Sequence, residues 1–169
     1  MPAIREQDLP KGRAAWADWR QAAAAALADA AGAITPDQPD AADAAAPATR
    51  PEPAGAAGLP AAVRMAVAPQ LPRATMAMAV RYTIAALEHR APGPGVEVRV
   101  APFAAVKILD GPASDPHNLT PPDVIELKPA VWLRLAAGVT SWAEEREAGH
   151  ITAVGERDDL SALLPLQRL

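Results

Sequence analysis

The residues that most constrain the fold are 121–166, PPDVIELKPAVWLRLAAGVTSWAEEREAGHITAVGERDDLSALLPL, because each element there carries its own start or stop signal. Val124, Ile125, Glu126 and Leu127 read as a strand. Pro129 suits the first position of a helix, where its missing N–H costs nothing, and Gly138 ends that helix after Trp132, Leu133 and Leu135. Ser141-Trp142-Ala143-Glu144 is a capping box, in which the serine hydroxyl and the glutamate carboxylate satisfy free backbone donors at the start of a second helix. Gly149 closes that helix. Residues 150–156 then read as a strand with Ile151 and Ala153 opposite Thr152 and Val154, and Asp158 or Asp159 caps a last helix ending at Pro165.

The chain before this stretch supplies more of the same mixed order. Pro72 opens a long helix whose stripe of Met76, Val80, Thr83, Ile84 and Leu87 recurs at spacings of three and four, with Arg73, Arg81, Glu88 and Arg90 mostly off it. Ala91 precedes a proline, so helix is disfavoured there, and PGPG at 92–95 reads as the turn. Val96-Glu97-Val98-Arg99-Val100 alternates strictly, as a half-buried strand does. Pro102 interrupts it. Residues 103–109 continue as a second strand, with Val106 and Ile108 on one face, joined so tightly to the first that the two should be antiparallel neighbours. Residues 110–122, DGPASDPHNLTPP, form a long loop of the kind that often carries function. Residues 59–71 fit a short helical turn and an extended lead-in equally well.

The first third is different. Residues 11–32 are helical by alanine propensity and stop at Gly32, with an apolar side made of Trp16, Trp19 and Leu27. Such a helix either docks through its tryptophans or stands free. Residues 34–60 hold prolines at 36, 39, 47, 51, 53 and 60 among alanines and aspartates, and so read as an extended, disordered linker. The expected organisation is an N-terminal helix over 1–33, a linker over 34–60 and one α/β domain over 61–169. Half the residues of the 169 are apolar, but many are alanine, which buries little area.

Several function classes are disfavoured. Without cysteine there is no disulfide framework, thiolate nucleophile or thiolate metal site. A net charge of -4 with no concentrated basic patch argues against nucleic acid or an anionic membrane as partner. No signal peptide and no run of roughly 18 apolar residues is present, which predicts a cytoplasmic protein without stable membrane insertion. His89, His117 and His150 lack metal-ligand spacing; His117, with Asp115 nearby, is the best placed for chemistry or anion contact. Ser141 is accounted for as a cap, and Glu144, Glu145 and Glu147 as a solvated helix face. PGPG lacks the strand-to-helix setting of a phosphate loop. No enzyme, metal or cofactor is expected.

A resemblance ties these motifs together. RYTIAAL at 81–87, APGPGVEVRVAPFAAV at 91–106, TPPDVIEL, PAVWLRLAAG, SWAEEREAGHITAVGERDDL and SALLPL, in that order over 72–166, resemble the bacterial sterol carrier proteins typical of actinobacteria. They are also similar to the C-terminal domain of mycothiol-dependent maleylpyruvate isomerase-like enzymes, whose catalytic helical bundle has no counterpart here. The resemblance implies an α/β (α+β) fold: a mostly antiparallel twisted sheet, helices packed on one face, and an apolar tunnel between them. Lys128 departs from the pattern, standing where relatives tend to carry a helix-capping Asp, and the alanine-rich linker is not part of it.

Two readings follow. In the first, the protein binds, without catalysis, a lipid or other apolar small molecule in a tunnel lined by Phe103, Val106, Ile108, Ile125, Leu127, Trp132, Leu135, Trp142 and Ile151. In the second, those side chains close into a dense core, and the chain is a protein-interaction module that reaches a partner through residues 1–33.

Overall fold

The computed structural model describes residues 3–34, 58–111 and 123–169. The loop candidates His117 and Asp115, and all but the ends of the linker, lie outside the described residues. In chain order the elements are α1 (Leu9–Ile34), α2 (Ala61–Met65), α3 (Arg73–Arg90), β1 (Pro92–Val100), β2 (Ala104–Ile108), β3 (Asp123–Leu127), α4 (Pro129–Ala137), α5 (Trp142–Glu147) and β4 (Ile151–Val154), with short 3-10 turns at Glu6–Asp8 and Ser161–Leu163.

Alternation fixes which side of the sheet is covered. Val96, Val98 and Val100 from β1, Val106 and Ile108 from β2, and Ile125 and Leu127 from β3 are buried together, while Glu97, Arg99, Lys107 and Glu126 fall on the opposite face. The strand order is β2-β1-β3-β4. β1 runs antiparallel to β2 and β3 antiparallel to β4, as expected for a mostly antiparallel sheet, but the central pair β1 and β3 is parallel. Helices cover the buried face. Val80, Ile84 and Leu87 of α3 are fully buried in the same core as the sheet residues.

The N-terminal helix docks. Trp16 and Trp19 stack with ring centroids 5.6 Å apart, and both belong to the core, with Trp19 wholly buried. Gly12 explains how closely α1 and α3 approach: a Cβ there would sit 2.9 Å from Tyr82 Cβ and 2.7 Å from Ile4 Cδ1. The 59–71 ambiguity resolves as the short helix α2 with Pro60 at its N-cap, followed by chain without regular structure from residue 67 to residue 72.

Two local expectations are corrected. PGPG is not a turn but the start of β1, with a bulge that sets both Pro92 and Val96 opposite Ile108. Prolines are tolerated at a strand start or bulge because no ladder donor is needed there; Gly95 N–H donates to Leu109 O and Leu109 N–H to Ala91 O, both at 2.8 Å. The final helix is only the turn Ser161–Leu163. Leu164 precedes Pro165 and is extended (φ -116, ψ 153), which ends the turn before a helix can propagate. At Lys128 no side-chain cap forms, as its chemistry dictates, yet Trp132 N–H still reaches Lys128 O at 3.0 Å and α4 begins at Pro129.

Candidate functional site

Trp132 shows how the sheet–helix layer is closed. Its indole N–H donates to Thr83 Oγ1 at 2.8 Å, and that hydroxyl donates in turn to Ala79 O at 2.8 Å, so the one polar atom of a large buried ring is satisfied inside the core. Ile108, Ile125 and Trp132 have no accessible surface, and Leu127 has 2%. A side chain without accessible surface borders no space that a water molecule could enter, so the layer is filled at these residues. Val106 joins the same packed cluster. Phe103 sits half-buried at the β1–β2 connection, with the Arg73 guanidinium 5.6 Å above its ring, and Ile151 is half-buried at the edge strand. Seven of the nine proposed lining residues therefore do not gather around a common space.

The remaining two do. Leu135 and Trp142 line a half-enclosed pocket of about 410 Å³ at the end of α4. Leu164, Pro165 and Leu169 complete its apolar wall; Thr140, Ser141 and Ser161 supply hydroxyls, and Arg64 and Arg168 stand at its edge. Gly138, at φ 69, lets the chain turn sharply out of α4 and brings Pro165 into contact. The capping box then starts α5: Glu144 N–H donates to Ser141 Oγ at 3.3 Å and Ser141 N–H to Glu144 Oε2 at 2.8 Å.

Charge at the pocket is largely committed. Arg64 of α2 forms a two-pronged pair with Glu144 and also donates to Val139 O at 3.0 Å. Those guanidinium bonds, aided by Ser141 and against partial burial, push the Glu144 carboxyl down to about 2. The Arg168 guanidinium and the Ser161 hydroxyl have no partner among the described residues, and neither has the buried Trp142 indole N–H.

Glu145 overturns the reading of α5 as a solvated acidic face. It lies three residues from Trp142, hence on the same side of the helix, and is fully buried. Arg134 of α4 meets it at 2.7 and 3.1 Å, Thr140 Oγ1 at 2.7 Å and His150 Nδ1 at 2.6 Å. The i, i+3 spacing to a tryptophan was the available signal. Glu147 is exposed as expected. At the far end of β3, Arg157 donates to Asp123 Oδ2 at 2.8 Å, to Gly95 O at 3.1 Å and to Asp110 O, pinning three strand ends together.

Residues 72–166, α3 through the last turn, match the family described as "Bacterial SCP ortholog". The chain belongs to this sterol carrier protein family. The match leaves α1, α2 and residues 167–169 outside it, so Arg64, Arg168 and Leu169 of the pocket come from beyond the family's own residues. No curated protein matches the chain. Among the described residues, no helix is long and apolar enough to cross a membrane.

Proposed function

We propose that this sterol carrier protein family member binds, without catalysis, a lipid or other apolar small molecule in the cytoplasm, and that it does so in the pocket at the end of α4 rather than in a tunnel under the sheet. The observation that carries the reading is the pocket itself: about 410 Å³, within the ~300–1,000 Å³ usual for small-molecule sites, with an apolar wall of Leu135, Trp142, Leu164, Pro165 and Leu169 beside three hydroxyl side chains and two arginines. Family membership supports an apolar ligand. Burial of a chain there contributes roughly 0.8 kcal/mol per CH₂. The test is binding of the neutral apolar fluorophore N-phenyl-1-naphthylamine to the full chain and to Ser161→Trp, which fills the pocket from an exposed position. Affinity should fall at least tenfold, a loss of about 1.4 kcal/mol; unchanged affinity would place the site elsewhere or nowhere.

The filled sheet–helix layer favours a second reading, that of a protein-interaction module. Trp16 and Trp19 are committed to the molecule's own core, so a partner would meet another surface of α1. Native mass spectrometry of the protein from its own cells separates the two: a stoichiometric lipid adduct supports the carrier, a stoichiometric protein adduct without lipid the module.

A further inference from the structure

Residues 164–169 form a strap that is neither helix nor strand beyond the turn Ser161–Leu163. They close over the end of α4. Leu166 N–H and Gln167 N–H both donate to Ala136 O, at 2.9 and 3.1 Å, and Leu169 N–H donates to Ala137 O at 3.1 Å, taking carbonyls that the end of a helix leaves without an intrahelical partner. The same strap supplies Leu164, Pro165, Arg168 and Leu169 to the pocket wall. If the strap moves, that wall moves.

What holds the strap comes from elsewhere in the fold. Arg90, at the end of α3, donates to the carbonyls of Leu163, Pro165 and Leu166 at 2.7, 3.0 and 3.2 Å. Beyond that point α1 adds two side-chain bonds to the backbone bonds on Ala136 and Ala137: Trp16 Nε1 donates to Gln167 Oε1 at 3.1 Å and Arg20 Nη2 to Arg168 O at 2.6 Å. Both partners of both α1 bonds lie outside the family's matched residues, as does Arg64 at the pocket edge. The arrangement therefore belongs to this chain's additions to the family core.

We propose that α1 is a latch on the pocket. Arg20 and Trp16 hold the end of the strap, and loss of that hold lets residues 166–169 lift from the end of α4, widening the pocket for entry or release of the bound molecule. Arg20 and Gln167 are positioning residues that act through the strap. The proposal rests on the binding reading above. It requires that ligand release depend on two polar contacts that touch no ligand, whereas a plain structural role would move stability alone.

The test uses the full chain, with Arg20→Ala, Gln167→Ala, their double variant, and Gln167→Glu, which keeps an acceptor for the indole. Release of N-phenyl-1-naphthylamine is followed by stopped-flow, and amide hydrogen exchange is read at Leu166, Gln167 and Leu169. Each lost hydrogen bond should quicken release about fivefold. The double variant should exceed tenfold and show matching acceleration of exchange at those three amides, the Trp132 amide should be unaffected, and Gln167→Glu should release at the wild-type rate. Bound probe that leaves all variants equally fast overturns the latch alone, as does acceleration at Trp132 equal to that in the strap. Failure of the wild-type protein to bind the probe overturns the binding reading and the latch together.

Discussion

Removing the Glu145 carboxylate should be among the most damaging single changes available to this fold. Both partners of the pair are buried: Glu145 has no accessible surface and Arg134 has 4%. Arg134 reaches Glu145 through Nε and Nη2, while its Nη1 donates to Val67 O at 3.2 Å, so in Glu145→Ala the guanidinium would be left with a single carbonyl and no counter-charge. Breaking one side of such a pair costs about 3–5 kcal/mol, a large part of the roughly 5–15 kcal/mol that holds a domain together. For a chain of this length the melting temperature should fall by about 10 °C. Arg134→Met with Glu145→Leu removes both charges and should recover most of the loss, because two well-packed apolar groups need no desolvation of ions. Urea unfolding of the wild type, both single variants and the double measures the coupling, with the denaturant slope expected to stay constant. A Glu145→Ala loss below about 1 kcal/mol would refute the argument that an uncompensated buried charge dominates here.

The same carboxylate predicts a pH dependence. Burial pushes the Glu145 carboxyl up, but hydrogen bonds from Arg134, Thr140 and His150 outweigh it and hold it below the usual carboxylate value. A folded pKa below the unfolded one stabilises the protein fully above the ordinary carboxylate range and is lost as pH falls through the folded value. The Arg134→Met/Glu145→Leu double variant should therefore lose less stability on acidification than the wild type.

The other predictions are more local. Arg64→Ala should raise the Glu144 carboxyl from about 2 toward its ordinary value of 4.5, seen by carboxyl-carbon NMR titration; the stabilisation from ionised Glu144 is complete above that ordinary value and is lost toward pH 2. Gly155→Ala should cost about 2 kcal/mol or more in urea unfolding, because φ is +110 and a Cβ there would overlap Asp123 Oδ1, which accepts from Glu156 N–H at 2.8 Å.

What was legible in the chain was what local chemistry decides. The valines at 96, 98 and 100 announce a covered sheet face because a strand alternates sides whatever it packs against. Ser141 and Glu144 announce a helix start because both capping bonds fall within four residues. PGPG was misread because glycine and proline serve a turn and a bulged strand start equally well, and only the distant Leu109 decides between them. The parallel pairing of β1 with β3 depends on the path of the chain between them, which periodicity does not encode. Glu145 was misread because three glutamates in one short helix look solvated until the partner on α4 is known. The pocket itself was not legible: Leu135 and Trp142 were named for a tunnel under the sheet, and the pocket they border takes its other walls from residue 64, residues of 138–141 and residues of 161–169, which no local signal links.

Why the layer is filled where a tunnel was expected follows from which side chains point into it. Trp132, Leu133, Ile84, Leu87, Ile108 and Ile125 are all large and wholly buried, and α1 adds Trp16 and Trp19 to the same cluster, each large apolar side chain contributing roughly 1.5–3 kcal/mol by burial. A ligand entering this layer would have to displace contacts that hold the fold together. At the end of α4 the competition is smaller: the helix stops at a glycine, the strap crosses on a few hydrogen bonds, and beside the core residues Leu135 and Trp142 the space is walled by Leu164, Pro165, Arg168 and Leu169 of the strap. A ligand in the proposed site would leave the sheet's packing in place. The family's residues 72–166 do not by themselves contain the core, since Trp16, Trp19, Ala23 and Leu27 are built into it. A binding experiment on those residues alone would therefore remove part of the core together with the latch, and the full chain is the proper subject of each test proposed above.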